Sequence, residues 1–350
     1  MKGLILCAGR GTRLYPLSYS QPKTLLPVAN KPVLHYCIEK LISLGITDIG
    51  IVVNPSQIQI REYVGDGSRF QASITLIEQS KPLGIAHAVQ LAESFVDSDS
   101  FIVLLGDNLL MDSLQKIYQT FQDSNASCAV MLREVDRPQD YGIAEIENGS
   151  IVSITEKPQV PKSNLAVIGA YLFTPVIFQA IHQLKPSSRG EYEITDAIRT
   201  LLEQGKEIAY TTTNQNYSDV GTMERWLSAN RWMLDRQFEN YGMGVDTIVE
   251  NCQINPPVII GSNCTLRNSK IGPYVSIQDG ATVTNCKEIT NSILLEDTSL
   301  TGIDWVIKDS VFGRSSQIIG TPSNESGVLI VSDKSYISIP IRKGDPANEC

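Results

Sequence analysis

Two different periodicities divide this chain. Over the first ~235 residues, short apolar runs alternate with stretches of helical spacing. Lys2–Cys7 is an apolar run that ends in a glycine loop. Val33, Leu34, Cys37, Ile38, Leu41 and Ile42 share one helical face, and Gly45 stops them. Ile49–Val53 and Ile74–Ile77 read as strands, and Ile85–Phe95 as a helix. Phe101–Leu105 is a continuous apolar run of the kind buried inside a parallel sheet, and it ends in Gly106-Asp107-Asn108. The alternation predicts an α/β fold: an open, mostly parallel sheet flanked by helices. Ligands of such sheets lie beyond the carboxyl ends of the strands, where both Ala8–Arg13 and Gly106–Asn108 fall.

The last hundred or so residues follow a period of six, which is neither helix nor alternating strand. Ile248, Ile254, Ile260 and Leu266 keep step. After a slip of one, so do Ile271, Ile277, Val283, Ile289 and Leu295, and after a second interruption Val306, Phe312 and Ile318. Small or sulfur-bearing residues follow four places later at Cys252, Cys264, Val275, Ala281 and Ser299. This is the pattern of a hexapeptide-repeat solenoid, a left-handed parallel β-helix with every sixth side chain in a narrow core. The expected division is residues 1–236, a helical join over Thr222–Phe238, a β-helix over 245–322, and an irregular tail over 323–350.

Composition narrows the function. In 350 residues, 42% apolar and 19% charged is a globular balance, which excludes wholesale disorder. A net charge of −9 excludes a generally basic nucleic-acid binder. The run Leu4–Ala8 is too short for a signal peptide, and no stretch approaches the ~18 apolar residues of a membrane span. Seven cysteines without a CxxC pair are expected to be free thiols in a reducing, cytoplasmic setting. Only three histidines are present, none beside a cysteine pair, which argues against zinc, and His35 reads as a core or edge residue.

Within that acidic chain, the first 38 residues hold five basic side chains (Lys2, Arg10, Arg13, Lys23, Lys31) and no carboxylate. Arg10 and Arg13 sit in the glycine loop behind the first strand, a local site for an anion. The loop is not a P-loop, and it departs from a dinucleotide fingerprint because Leu14 stands at the third glycine. What it does contain is Leu6-Cys7-Ala8-Gly9-Arg10-Gly11-Thr12-Arg13-Leu14, followed by Pro22-Lys23-Thr24-Leu25-Leu26-Pro27-Val28. That pair resembles the signature of the sugar-phosphate nucleotidylyltransferases. The resemblance continues in order through Gln79, Pro82–Ala88, Leu105–Asn108, Tyr141-Gly142, Glu156-Lys157-Pro158, Gly169-Ala170-Tyr171, Gly190–Asp196 and Asp219–Thr222. With the repeat tail, the chain is most similar to the long, solenoid-bearing thymidylyltransferases of that family.

The resemblance implies a catalytic domain over 1–236 that joins dTTP to glucose 1-phosphate, giving dTDP-glucose and pyrophosphate. The same motif residues imply the site. Arg13, Lys23 and Asp107 would be catalytic. Leu6, Ala8, Gly9, Gly11, Thr12, Gln79 and Gly84 would bind the nucleotide with them, Gly84 leaving room for the base. Asn108, Tyr141, Gly142, Glu156, Lys157, Val167, Gly169 and Tyr171 would hold the sugar phosphate. Asp107 and Asp219 would bind Mg²⁺, whose hard shell takes carboxylate, water and phosphate oxygens. Attack by an already ionised phosphate needs no general base, so His87 reads as part of a helix start. UTP or another sugar 1-phosphate is the alternative. A second, acyl-transfer activity would need a base in the repeats, yet residues 183–350 contain no histidine. A non-catalytic nucleotide-sensing subunit would be expected to have lost Arg13, Lys23, Asp107 or Asp219, and all four are present. The open ends of a solenoid predict a homo-oligomer, with no nucleic-acid or membrane partner.

Overall fold

The computed structural model describes residues 1–338 apart from 10, 16, 238, 239, 321–325 and 328. Packing separates two compact units: residues 1–10, 22–25 and 33–219, and residues 11–21, 26–32 and 220–350. The helix Met223–Gln237 belongs to the second of these units.

The first unit is built on a nine-stranded sheet. Its strands are β1 (Lys2–Leu6), β2 (Asp48–Val53), β3 (Ser73–Glu78), β4 (Phe101–Leu105), β5 (Cys128–Glu134), β6 (Gly142–Glu147), β7 (Ser150–Glu156), β8 (Leu165–Phe173) and β9 (Ile208–Thr212). The order is β7-β6-β8-β4-β1-β2-β3, with β5 and β9 branching from β8. β1 to β4 are mutually parallel, and β8 runs antiparallel to β4. Apolar residues run unbroken in β1 and β4 because both faces are covered. Leu4, Phe101 and Val103 enter one core, while Ile5, Ile102 and Leu104 enter the other. The helix Val33–Ser43 buries Leu34, Cys37, Ile38 and Leu41 against the second core, as its spacing predicts. The single helix expected over Ile85–Phe95 is two, Ile85–Gln90 and Glu93–Val96. Among the described residues no helix is long and apolar enough to cross a membrane. The described cysteines are all free; Cys350 lies outside the described residues. His35 is an edge histidine, its Nδ1 2.7 Å from the Tyr63 hydroxyl.

In the second unit, three parallel sheets of six, six and five strands stack coil upon coil, the arrangement of a parallel β-helix. The buried ladders run Ile260–Ile277–Leu294–Phe312–Val331, Leu266–Val283–Leu300–Ile318 and Ile271–Ile289–Ile307. Counting in sixes misplaced three of these positions. Val249 rather than Ile248 is in register with Leu266, Leu294 rather than Leu295 with Ile277, and Ile307 rather than Val306 with Ile289. Buried Thr298, not Ser299, continues the Cys264–Ala281 row. The cause is coil length. Ser269 and Cys286 bond across 17 residues, Ser292 and Ser310 across 18, and Ser310 and Leu329 across 19. Three full hexads make 18, so the short and long coils adjust at their corners. Asparagines in the left-handed region (Asn251, Asn268, Asn285) turn one corner and bond amide to amide. Strands also occur at Tyr241–Met243 and at Ser326–Gly327, Ile330–Val331 and Tyr336–Ser338, on either side of the 245–322 span. Residues 339–350 of the expected tail lie outside the described residues.

Candidate active site

The glycine loop leaves the end of β1, where half-buried Leu6 is followed by buried Cys7 and Ala8. The Cys7 N–H still reaches the Val52 carbonyl at 2.7 Å, so sheet pairing carries one residue into the loop. The buried Gln57 amide then donates to the carbonyls of Cys7 (3.0 Å) and Gly9 (3.4 Å). Gly9 is exposed, with nothing near the position a Cβ would take. In the second unit, Gly11 has a φ of +64°, which a side chain would strain, and its carbonyl accepts from the Leu14 N–H and the Ser18 hydroxyl. Arg13 is exposed on the 3₁₀ turn Thr12–Leu14. Arg10 and the Thr12 side chain lie outside the described residues.

Lys23, on the 3₁₀ turn Lys23–Leu25, is buried and donates from Nζ to Asp107 Oδ2 at 2.7 Å. Asp107 follows the end of β4. There the Gly106 N–H bonds the Leu6 carbonyl at 2.9 Å, and a Cβ on Gly106 would lie 2.4 Å from Cys7 Sγ. The β1 and β4 exits are therefore in direct contact, and only glycine fits between them. Beyond Asn108, Leu109–Leu110 pairs antiparallel with Tyr217–Ser218, with Ser218 opposite Leu109. This register brings Asp219 to the same end of the ribbon as Asp107. Tyr217 reports both carboxylates: burial first, then Asp219 and Asp107, push its phenol well up, so it stays protonated. Val220, next to Asp219, holds a φ of +39°, an outlier for a β-branched residue. Two hard carboxylates suit a magnesium ion that completes its shell with water and phosphate. Among the described residues no cluster of three potential ligands exists, so protein groups alone would not enclose a metal.

Of the residues expected to hold a sugar phosphate, Gly142 and Glu156 face each other on the β6–β7 hairpin, with Tyr141 and Lys157 beside them. A Cβ on Gly142 would lie 2.6 Å from Thr195 Cγ2 and 3.2 Å from Glu156 Oε2, so glycine admits both side chains. Thr195 donates to Glu156 Oε2 at 3.2 Å, while Arg189 reaches Oε1 at 3.4 Å and Lys157 Nζ lies 3.9 Å from it. Burial and the neighbouring Glu193 raise the Glu156 pKa, against Lys157, Thr195 and Arg189. Burial alone would lower the Arg189 pKa, but Glu193, Glu191 and Glu156 outweigh it. Lys157 adopts a φ of +41° and bonds the Tyr141 carbonyl through its N–H at 2.9 Å.

Asn108 is buried, and neither amide atom has a partner among the described residues. Its Nδ2 sits 1.9 Å from where a Cβ of Gly169 would stand, at a φ of +46°. Gly169 thus lets an unsatisfied amide approach β8, beside buried Val167 and Tyr171. Burial, then Glu156, raises the Tyr171 phenol.

Gln79, expected to meet the nucleotide, is buried and donates to the Gly84 carbonyl (3.3 Å) and meets His87 Nδ1 (2.8 Å). Gly84, expected to make room for a base, has a different constraint. Its Cβ position is filled by the backbone of Tyr192, 2.6 Å away at the carbonyl oxygen, and φ is +105°.

The structure brings together Lys23 with Asp107, Gly142 with Glu156 and Lys157, Asn108 with Gly169, and Gln79 with Gly84. Arg189 had no role in the sequence reading, whereas Thr195 and His87 lay within the Gly190–Asp196 and Pro82–Ala88 motifs without a contact assigned to either. Arg189 immediately precedes the Gly190–Asp196 motif, so its position was visible, but its meeting with Glu156 across 33 residues was not.

A profile of the family described as Nucleotidyl transferase matches residues 2–236. A glucose-1-phosphate thymidylyltransferase of Streptomyces antibioticus is 38% identical over 91% of this chain and 93% of its own length. A bifunctional GlmU protein of Methanocaldococcus jannaschii is 32% identical, over 90% of this chain and 78% of that protein. Among solved structures, a UDP-glucose pyrophosphorylase of Acinetobacter baumannii aligns with a TM-score of 0.60 at 26% identity, covering 68% of this chain and 94% of the other.

Proposed function

The chain belongs to the nucleotidyl transferase family, and we propose that, as a sugar-1-phosphate nucleotidyltransferase, it converts dTTP and glucose 1-phosphate into dTDP-glucose and pyrophosphate. The observation that carries the reading is the pairing of buried Lys23 with half-buried Asp107 at the touching exits of two central parallel strands. It leaves a cation and a carboxylate poised where such sheets bind ligands. The thymidylyltransferase relative supports dTTP, and the UDP-glucose pyrophosphorylase likeness supports UTP as the second reading. The GlmU relative's bifunctional description is not carried over, because residues 183–350 contain no histidine.

The reaction joins two anions, so positive charge and positioning are its main needs. Lys23 is released from Asp107 toward the α-phosphate and stabilises the charge that develops there. Arg13 neutralises the departing pyrophosphate. The Gly9–Gly11 backbone lets phosphate oxygens approach its N–H groups. Magnesium, held by Asp107 and Asp219, would supply Lewis-acid neutralisation of the triphosphate when bound. Lys157 and Arg189 take the sugar phosphate's charge, Glu156 accepts from sugar hydroxyls, and the unpaired Asn108 amide offers a donor and an acceptor. The phosphate oxygen that attacks is already ionised, and no side chain has to remove a proton.

The test is pyrophosphate release with Mg²⁺ from dTTP, UTP, CTP, ATP and GTP against glucose, galactose and N-acetylglucosamine 1-phosphates. The highest kcat/KM for dTTP with glucose 1-phosphate is expected. A preference for UTP selects the second reading, and no release from folded protein rejects both.

A further inference from the structure

Gln79 uses both of its amide N–H bonds within its own chain. Nε2 lies 3.3 Å from the Gly84 carbonyl oxygen and 2.8 Å from His87 Nδ1. A carbonyl oxygen can only accept, so the Gly84 contact identifies the amide nitrogen. His87 Nδ1 must then be an acceptor, which leaves the ring proton on Nε2. Burial lowers the His87 pKa, consistent with a neutral ring at pH 7. The ring is stacked beside Tyr192 at 6.4 Å, on a helix whose Ala86 N–H bonds the Tyr192 carbonyl. Gln79 Oε1, by contrast, accepts no hydrogen bond among the described residues, although the side chain is only 4% exposed. With both N–H groups engaged, the oxygen is the hydrogen-bonding atom this amide has left to offer a ligand, and it can only accept.

We infer that His87 is a positioning residue that locks the Gln79 amide with its oxygen outward, so that the site selects a pyrimidine carrying N3–H and rejects cytosine. The inference rests on the proposed function and on the place at the nucleotide that the family resemblance implies for Gln79. Thymine and uracil present N3–H to an outward oxygen. Cytosine presents a lone pair at N3, which would oppose it. Turning the amide over would suit cytosine, but Oε1 would then face two acceptors, His87 Nδ1 and the Gly84 carbonyl. The shorter contact is the one to His87, which makes the histidine the stronger lock.

The test compares kcat/KM for dUTP and dCTP, which differ only at this edge, with glucose 1-phosphate as acceptor. In His87→Leu the dUTP/dCTP ratio is expected to fall about tenfold, the equivalent of one lost hydrogen bond. In His87→Gln, which keeps an acceptor, the ratio is expected to stay within about threefold of the parent. An unchanged ratio in folded His87→Leu overturns the inference and leaves the proposed function standing. If the parent enzyme turns over neither of these nucleotides nor dTTP or UTP, the proposed function fails separately, and the ratio of dUTP to dCTP dissociation constants in parent and variant decides the inference by the same criterion. Should His87→Leu not fold, ¹⁵N NMR of histidine-labelled parent protein decides. A proton on Nε2 supports the lock, and a proton on Nδ1 overturns it.

Discussion

Glu156 sits among groups that pull its charge in opposite directions. Burial and Glu193 raise its pKa, while Lys157, Thr195 and Arg189 stabilise the carboxylate, and the net effect is upward. The folded protein therefore holds a proton on Glu156 at pH values where the unfolded chain has lost it, and stability falls as pH rises through that window. Glu156→Gln is expected to raise Tm at pH 7, a gain that shrinks as pH falls toward the ordinary glutamate value of ~4.3. The same change should raise KM for the sugar phosphate about tenfold through a lost charge-assisted bond. An equal or lower Tm at pH 7 would contradict the sign. At the other end of the site, Asp107→Asn and Asp219→Asn keep the shape of each side chain and remove the charge. Each is expected to lower kcat/KM by about 10²- to 10³-fold, roughly 3–4 kcal/mol of transition-state stabilisation. Near-parent turnover in either variant, measured at saturating Mg²⁺, would remove that aspartate from the site.

Three elements of the second unit meet at one side chain. Buried Asn230, on the helix Met223–Gln237, accepts through Oδ1 from the Ala29 N–H and from the Ser276 hydroxyl, both at 2.8 Å. Ala29 and Asn30 form the turn between the short strands Pro27–Val28 and Lys31–Pro32, both with positive φ. Ser276 belongs to the solenoid strand Val275–Ile277, and Asn30 Nδ2 reaches the Ile277 carbonyl at 2.6 Å. Trp226 on the same helix donates to the Pro27 carbonyl at 2.6 Å. The turn and the solenoid are thus tied to the helix by polar bonds in a sealed place, where an orphaned donor is costly. Asn230→Ala leaves two buried donors unmet and is expected to cost about 2–3 kcal/mol. Ser276→Ala, which removes one donor cleanly, is expected to cost about 1 kcal/mol. Urea denaturation of both variants checks the ordering, and an Asn230→Ala cost no larger than that of Ser276→Ala would show that the joint carries little. The sequence offered no signal for this joint, since an asparagine in a helix is ordinarily solvated.

The solenoid is sealed along its length and open at its first coil. Ile260, Leu266 and Ile271 and their successors are buried, yet Tyr241, Met243, Val245, Ile248 and Val249 on the first coil are all exposed. The strands Tyr241–Met243, Ile248–Glu250 and Gln253–Ile254 each begin their sheet. An apolar end with three strand edges that have no further strand among the described residues favours association over exposure to water. Light scattering is expected to give a mass that is a multiple of 38.5 kDa. A mass of one chain across micromolar concentrations would remove the assembly.

The order of elements, the change from α/β alternation to a six-residue repeat, and the residue types of the site are all local properties. Apolar spacing records which face is buried, and glycine and charge patterns record where a loop can meet an anion. These were legible along the chain, from Phe101–Leu105, a strand with the predicted bounds, to the glycine loop after β1. Pairings across long separations were not, because nothing in linear spacing states which loop will face which. Lys23 meets Asp107 across 84 residues, and Ala29 meets Asn230 across 201. The inward rungs at Leu294 and Ile307, and the register of Val249 with Leu266, were likewise decided by the fold, since corner geometry sets coil length and a count of six cannot see a corner. Gly84 makes the same point: it was expected to leave room for a base, but the approach of Tyr192, a contact between distant segments, is what requires a glycine there.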